Sequence, residues 1–104
     1  MTRVAVMGSG SWGTVYAMVM ADAGCDVVIW SRSDEQAASI NEGHRNHVYH
    51  PTIELPLSLT ATTDPAVALE GASIVVLAIP AQVLRENLAA WQAFIAPDAV
   101  FISL

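Results

Sequence analysis

Three glycines after an apolar run constrain the fold of this chain more than any other feature of its sequence. Val4–Met7 is apolar at every position, which is typical of a strand covered on both faces of a parallel sheet. Gly8, Gly10 and Gly13 follow in a G-x-G-x-x-G spacing, and residues 14–23 then have the pattern of a helix. A strand, a loop of this kind and a helix together predict a binding site for the diphosphate of a dinucleotide.

Each of the three positions requires glycine for a different physical reason. Gly8 allows a tight turn out of the strand, Gly10 lets a diphosphate approach the backbone, and Gly13 lets the helix lie close to the strand. Ala17 and Ala21 extend the face of small residues along the helix. The free N–H groups and the positive dipole end of the helix would then hold the diphosphate. The alternative is a glycine-rich turn with a purely structural role.

Composition limits the partners of the chain. Its 104 residues allow one domain at most, and its net charge is −6, with four arginines and no lysine. Binding to nucleic acid or to an anionic membrane surface requires a basic face, so we expect neither partner. Cys25 is the single cysteine, and no targeting or membrane-spanning segment is apparent. We therefore expect a cytoplasmic chain without a disulfide.

The rest of the sequence predicts four more strands and three more helices in alternation. The strands are expected at 25–30, 57–62, 73–79 and 99–104, and the helices at 34–43, 65–71 and 81–94. In detail, Gly24 should end the first helix, Asp34 and Asp64 should be N-caps, and Gly43 should end the second helix. Right-handed crossovers make this an α/β fold, a doubly wound parallel sheet of the Rossmann-like type, with strand order 3-2-1-4-5.

The cofactor of such a fold is selected at the tip of the second strand. An acidic residue there binds the ribose hydroxyls of NAD, whereas an arginine accommodates the 2′-phosphate of NADP. The tip here is Ser31-Arg32-Ser33, and Asp26 lies too early in the strand to bind the ribose. A guanidinium beside two hydroxyls suits a phosphate, so we expect NADP to be preferred over NAD. A solvated arginine in a polar loop is the alternative.

Ligands of this fold bind where the strand order reverses, between strands 1 and 4. The glycine loop therefore faces the loop after the fourth strand, which contains Pro80. Near these loops the sequence has no Ser-His-Asp set and no paired carboxylates, so no catalytic residue is predicted. His44, His47 and His50 are spaced by three, but Pro51 would break a helix there and no cysteine is near. We predict loop histidines and no metal site.

Five segments have a more specific pattern than the glycines alone: Gly8-Ser-Gly-Ser-Trp-Gly13, Ile29-Trp-Ser-Arg32, Asn41 with Asn46-His-Val-Tyr49 and Pro51, Ala61-Thr-Thr-Asp64, and Ala78-Ile-Pro-Ala-Gln82. With them, the chain resembles the N-terminal part of bacterial NAD(P)-dependent glycerol-3-phosphate dehydrogenases. The aromatic residue in the glycine loop and the Asn-x-x-Tyr segment are the most specific features. His50 departs from the pattern, because the family usually has an aliphatic residue before the proline.

The resemblance implies reversible hydride transfer between dihydroxyacetone phosphate and a nicotinamide cofactor, giving sn-glycerol 3-phosphate for phospholipid synthesis. Ser11 and Trp12 would lie against the phosphates and the nicotinamide half, Arg32 would bind the adenosine phosphate, and Tyr49 would close over the cofactor. The expected cofactor-binding residues are Gly8, Gly10, Ser11, Trp12, Gly13, Arg32, Ser33, Tyr49 and Pro80.

The resemblance also implies that residues 1–104 form part of one dinucleotide-binding domain. The catalytic lysines of the family lie beyond the fifth strand and in a helical substrate domain, so we expect this chain alone to be inactive. Other possibilities are a regulatory module that binds a nicotinamide cofactor, or the cofactor domain of a ketopantoate reductase-like or prephenate dehydrogenase-like enzyme. Trp12 and Tyr49 could also simply fill apolar gaps.

The last predicted strand indicates self-association. Residues 99–104 would form an apolar outer edge of the sheet without a charged residue after Asp98. Unprotected edges of this kind pair with other chains. We therefore expect residues 1–104, when expressed alone, to self-associate or form a homodimer, whereas in a longer parent protein more chain should cover this edge.

Overall fold

Five parallel strands form the centre of the molecule in the computed structural model, which describes residues 2–46 and 52–104. The sheet has the order β3-β2-β1-β4-β5, as predicted. Its strands are β1 (Arg3–Met7), β2 (Asp26–Trp30), β3 (Thr60–Thr62), β4 (Ile74–Leu77) and β5 (Val100–Ser103). The predicted third and fourth strands were too long, because apolar residues continue beyond the part of each segment that pairs with its neighbour.

In the part of the chain that the structure describes, four helices connect the strands: α1 (Ser11–Asp22), α2 (Asp34–Gly43), α3 (Pro65–Leu69) and α4 (Ala81–Gln92). Helix α1 begins three residues before its predicted start, so Gly13 lies in its first turn and not in the loop. Within the described ranges, no helix has the length and apolar character needed to cross a membrane.

The helices cover both faces of the sheet, and alternate residues of β1 show why its sequence is apolar throughout. Val4 and Val6 belong to one buried cluster, with residues of α1 and α2, whereas Ala5 and Met7 belong to the other, with residues of α3 and α4. In the second cluster, the rings of Trp30 and Trp91 meet edge to face at 5.0 Å between centroids. In the first, Cys25 is a half-buried packing residue.

The two ends of α2 differ from the prediction. Its N-cap is Ser33, whose Oγ accepts a hydrogen bond from the Gln36 N–H at 3.3 Å, and Asp34 is the first helical residue. At its C-terminus the left-handed residue is His44, with φ of 53°, and Gly43 remains in the helix. The predicted cap of α3 is confirmed, because Asp64 accepts from the Ala66 N–H. Both errors move a boundary by one residue and leave the helix in place.

Strand β3 lies at an edge of the sheet, where the side chain of Asn41 takes the place of a further strand. The Asn41 Nδ2 donates to the carbonyl of Ala61 at 2.8 Å, and the Ala61 N–H donates to the Asn41 Oδ1 at 2.8 Å. One side chain therefore satisfies both backbone groups of a residue in a three-residue strand. These two hydrogen bonds connect α2, through Asn41, to the edge strand β3.

Replacing Asn41 by alanine should destabilise the fold. The Asn41→Ala change leaves a part-buried N–H and C=O without their partner, which typically costs about 1–3 kcal/mol of the free energy of unfolding. Asn87→Ala is the matched control, because the Asn87 amide only donates to Val83, one turn earlier in its own helix. Urea unfolding of the three proteins measures the difference, and equal midpoints for both variants would contradict this role of Asn41.

Candidate cofactor-binding cleft

A cleft of about 370 Å³ opens at the C-terminal ends of the strands, where the order reverses between β1 and β4. Ten of the described residues line it: Gly8, Ser9, Gly10, Trp30, Arg32, Ser33, Gln36, Ala78, Ile79 and Pro80. A second depression, of about 240 Å³, shares Gly10 and Ala78–Pro80 with the first and continues past Trp12 to Leu104. The predicted juxtaposition of the glycine loop and the Pro80 loop is therefore confirmed, and Gly10 lies between two adjoining spaces.

The three glycines of the loop have different surroundings. A Cβ on Gly8 would lie 2.4 Å from the carbonyl oxygen of Ala78, and its φ of 137° already excludes most side chains. A Cβ on Gly13 would lie 2.5 Å from the carbonyl oxygen of Gly8, so α1 packs directly against the end of β1. A Cβ on Gly10 would meet no atom within 4 Å. The fold therefore requires glycine at positions 8 and 13, whereas at position 10 it has room for a side chain.

The N-terminus of α1 points at this cleft without a side-chain cap. Gly10 is the N-cap and has no side chain to occupy the first N–H groups, and the first turn contains no acidic residue. The carbonyl of Gly10 accepts the first helical hydrogen bond, from the Thr14 N–H at 3.0 Å. The N-terminal N–H groups and the positive end of a helix dipole favour an anionic ligand.

Asn46 holds the glycine loop from behind. Its side chain is completely buried, and its Nδ2 donates to the carbonyl of Ser9 at 2.7 Å and to the Thr14 Oγ1 at 2.9 Å. The Thr14 hydroxyl in turn donates to the Ser9 carbonyl at 3.2 Å. The sequence did not predict this role, because a buried asparagine and an exposed one look alike in a loop.

Arg32 and Ser33 line the opposite side of the cleft from the Pro80 loop. Arg32 is exposed, and the residues that line the cleft include no aspartate or glutamate. Asp26 lies at the other end of β2, as predicted, and there it pairs with Arg3 at 3.0 Å. Ser31 is fully buried and does not line the cleft, so the expectation of two hydroxyls beside the guanidinium is wrong. Of these two serines, only Ser33 lines the cleft.

A cluster of three side chains connects the glycine loop to the tip of β2. The Ser9 Oγ lies 3.0 Å from the Ser31 Oγ and also bonds to the Gln36 Oε1, which is 3.3 Å from the Ser31 Oγ. The Ser33 N–H donates to the Ser31 Oγ at 3.1 Å. These contacts join residues of three different segments, so no local pattern in the sequence could reveal them.

Trp12 is 78% exposed beside the second depression. The idea that it fills an apolar gap in the core is therefore wrong. Ser11 is exposed beside it, at the first position of α1. The expected role of Tyr49 concerns a residue outside the described ranges.

His47 and His50 also lie outside the described ranges, whereas His44 is half-buried at the end of α2. Among residues 2–46 and 52–104, no group of three or more histidine, cysteine, aspartate or glutamate side chains could hold a metal ion. The expectation of exposed loop histidines is therefore wrong for His44, which caps α2, and the expectation that the three histidines bind no metal stays a prediction.

Comparison with known proteins identifies one family. Residues 3–104 match the family described as NAD-dependent glycerol-3-phosphate dehydrogenase N-terminus. The chain is 55% identical over 104 residues to the glycerol-3-phosphate dehydrogenase [NAD(P)+] of Corynebacterium urealyticum, and 57% identical over 104 residues to that of Corynebacterium jeikeium. All of this chain is covered in both alignments, but only 31% of each relative.

A solved structure of glycerol-3-phosphate dehydrogenase from Saccharomyces cerevisiae superposes with a TM-score of 0.89 and 30% sequence identity. The superposition covers 98% of this chain and 33% of that one. The chain therefore spans about a third of the length of the dehydrogenases that it matches.

Two glycine variants should separate folding from ligand binding. Gly13→Ala should lower the free energy of unfolding by about 1–3 kcal/mol, because its methyl group overlaps the Gly8 carbonyl. Gly10→Ala should change stability by less than about 1 kcal/mol, since the methyl group points into open space. It should nevertheless weaken a bound dinucleotide about tenfold or more.

Urea unfolding and titration with NADP and NAD measure the two effects on the same proteins. If Gly10→Ala bound both cofactors as tightly as the unchanged chain, the diphosphate would not lie against Gly10.

Proposed function

The chain belongs to the family of NAD-dependent glycerol-3-phosphate dehydrogenase N-termini, and we propose that it is the cofactor-binding part of such an oxidoreductase. The whole enzyme would interconvert dihydroxyacetone phosphate and sn-glycerol 3-phosphate with NAD(P)(H), and so serve phospholipid synthesis. The open space at Gly10, beside the uncapped N-terminus of α1, is the observation that best supports cofactor binding here. When bound, the nicotinamide ring of the cofactor supplies or accepts the hydride.

The two adjoining depressions suggest how the dinucleotide lies. We propose that its diphosphate sits over Gly10, where the N–H groups of α1 face an anion. The adenosine half then extends toward Arg32 and Ser33 in the larger space. The nicotinamide half extends past Trp12 in the smaller one. Pro80 borders both spaces and fixes the direction in which α4 leaves the cleft.

We propose that NADP is preferred over NAD. The exposed guanidinium of Arg32 provides a planar, permanently charged partner for a 2′-phosphate. The described residues that line the cleft include no carboxylate. NAD therefore lacks the usual partner of its free ribose hydroxyls, and no negative charge repels the 2′-phosphate of NADP. The name [NAD(P)+] of the relatives leaves both cofactors open.

Catalysis would depend on residues outside this chain. Polarising a ketone and holding a phosphorylated substrate both call for cationic groups, and the chain has no lysine. Its relatives are about three times as long, and we propose that the lysines that act on the substrate belong to the remainder. Residues 1–104 are accordingly part of one dinucleotide-binding domain, followed in the whole protein by the rest of that domain and a helical substrate domain.

A regulatory module that only senses the cofactor is the second candidate. The 78% exposure of Trp12 beside the nicotinamide space favours the enzyme, because a sensor needs no aromatic ring at the reacting end. The match along residues 3–104 also favours the glycerol-3-phosphate dehydrogenases over ketopantoate reductase-like and prephenate dehydrogenase-like enzymes. We place the protein in the cytoplasm, since Cys25 is unpaired, as is usual in a reducing compartment.

Replacing Arg32 should change the cofactor preference. Arg32→Ala should weaken NADP about tenfold or more, because a charge-assisted pair typically contributes about 1.5–3 kcal/mol, and should leave NAD nearly unchanged. Arg85→Ala is the matched control: it removes the same charge from an exposed position of α4 that does not line the cleft. Trp12 fluorescence during titration provides the measurement. If Arg32→Ala lowered the affinity for NADP and for NAD equally, Arg32 would not bind the 2′-phosphate.

The outer edge of β5 should pair with a second copy of the chain. The sheet order leaves β5 with a neighbour only in β4, and Phe101 is 50% exposed. Edge pairing of two copies would bury this strand and give a symmetric dimer. Phe101→Lys should shift the assembly toward monomer, whereas Ile102 packs against the core and is unsuitable for this test.

Light scattering over a concentration series measures the assembly of the chain and its variant. Glu86→Lys, at an exposed position of α4, is the control for an added lysine. A monomer at every concentration, with or without the change at Phe101, would contradict pairing at this edge.

A further inference from the structure

Gln36 is a polar residue of the cleft that the sequence analysis did not assign to cofactor binding. Gln36 lies in the first turn of α2 and lines the cleft together with Ser33 and the glycine loop. It is half-buried, and its carbonyl oxygen, Oε1, is within hydrogen-bond distance of the hydroxyls of Ser9 and Ser31. Gln36 therefore lies between the sites where the diphosphate and the adenosine phosphate are proposed to bind.

The structure directs the amide oxygen of Gln36 at the two serines. An amide oxygen accepts two hydrogen bonds, and each hydroxyl has one proton to donate. With Oε1 directed at Ser9 and Ser31, the NH₂ group on the same planar carbon is directed away from them. Among the described residues, the hydrogen bonds of the Gln36 side chain are those to its oxygen. Its two N–H donors are thus available to a molecule in the cleft.

The opposite orientation would suit the cleft less well. With the amide turned over, its oxygen would face the region between Arg32 and the N-terminus of α1, both of which attract anions. An oxygen there would repel a phosphate, whereas an N–H donor binds it. With its oxygen bonded to the hydroxyls of Ser9 and Ser31, the amide has the orientation that an anionic ligand needs.

We propose that Gln36 determines cofactor specificity, donating its side-chain N–H to the 2′-phosphate of the adenosine ribose, with Ser9 and Ser31 as positioning residues. This inference rests on the proposed function, because it takes the ligand to be a dinucleotide. A neutral donor adds a hydrogen bond to a phosphate and still tolerates a free ribose hydroxyl. A carboxylate at the same position would repel the phosphate and accept hydrogen bonds from the hydroxyls of NAD.

The test uses two variants of Gln36 and a matched control. Gln36→Glu keeps the oxygen that the serines bind but turns the donor into a negative acceptor, so the NADP to NAD affinity ratio should fall about tenfold or more. Gln36→Met removes the donor without adding charge and should weaken NADP about threefold or more, with a smaller effect on NAD. Gln92→Glu adds the same charge at an exposed position of α4 outside the cleft, and its ratio should equal that of the unchanged chain.

Titration of the unchanged chain and of each variant with both cofactors separates the outcomes. A ratio that stays within twofold for both Gln36 variants, while Arg32→Ala still lowers it, would overturn the role of Gln36 and leave the proposed function intact. An effect of Gln36→Glu without one of Gln36→Met would also overturn it, because a nearby charge and not a lost donor would then be responsible. If the unchanged chain bound neither cofactor, both the proposed function and this inference would fail.

A measurement on the unchanged chain avoids any folding defect of the variants. In a ¹⁵N-labelled sample, the side-chain NH₂ resonances of Gln36 should shift when NADP saturates the site, and shift less with NAD. The NH₂ resonances of Gln92 should not move with either cofactor. Unshifted Gln36 resonances at saturation with NADP would overturn the proposal.

Discussion

The contact between the start of α1 and the carbonyl of Gly8 is the constraint on which the cleft depends. A methyl group on Gly13 would lie 2.5 Å from that oxygen, so the helix approaches the end of β1 as closely as two backbones can. Ala17 and Ala21 continue this approach along the buried side of α1. Because the helix lies so close to β1, its first turn borders the same depression as the loop after β4. An anion can therefore reach the helix dipole and the end of β4 together.

The sequence predicted the parts of this arrangement that depend on local chemistry. The glycine spacing, the apolar runs and the cap at Asp64 each reflect one segment and its own backbone, and from them the strand order and the position of the cleft follow. It failed at boundaries where neighbouring residues compete for one role. Ser33 and Asp34 are both good N-caps, and the choice of Ser33 is fixed by its hydrogen bond with Gln36. Propensity alone does not distinguish them.

The sequence could not predict contacts between distant segments. Ser31 looked like a ligand of the cofactor because it is a hydroxyl beside an arginine, yet it is buried and bonded to Ser9. Asn46 was known only as one residue of a family pattern. In the structure its buried side-chain amide donates a hydrogen bond to the carbonyl of Ser9. In both cases the deciding partner is more than twenty residues away in the chain. Composition and spacing contain no information about such a partner until the fold brings it near.

Ser9 takes part in both sets of distant contacts, because its backbone carbonyl and its side-chain hydroxyl bond to residues on opposite sides of the loop. Its carbonyl accepts from Asn46 behind the loop, and its hydroxyl contacts Ser31 and Gln36 toward the cleft. The glycine loop is thus fixed to the segment after α2 on one side and to the tip of β2 on the other. A loop built around Gly8 and Gly10 would be flexible if left to itself. Side chains from other segments give it the fixed geometry that recognition of a diphosphate requires, and they also set its distance from Arg32.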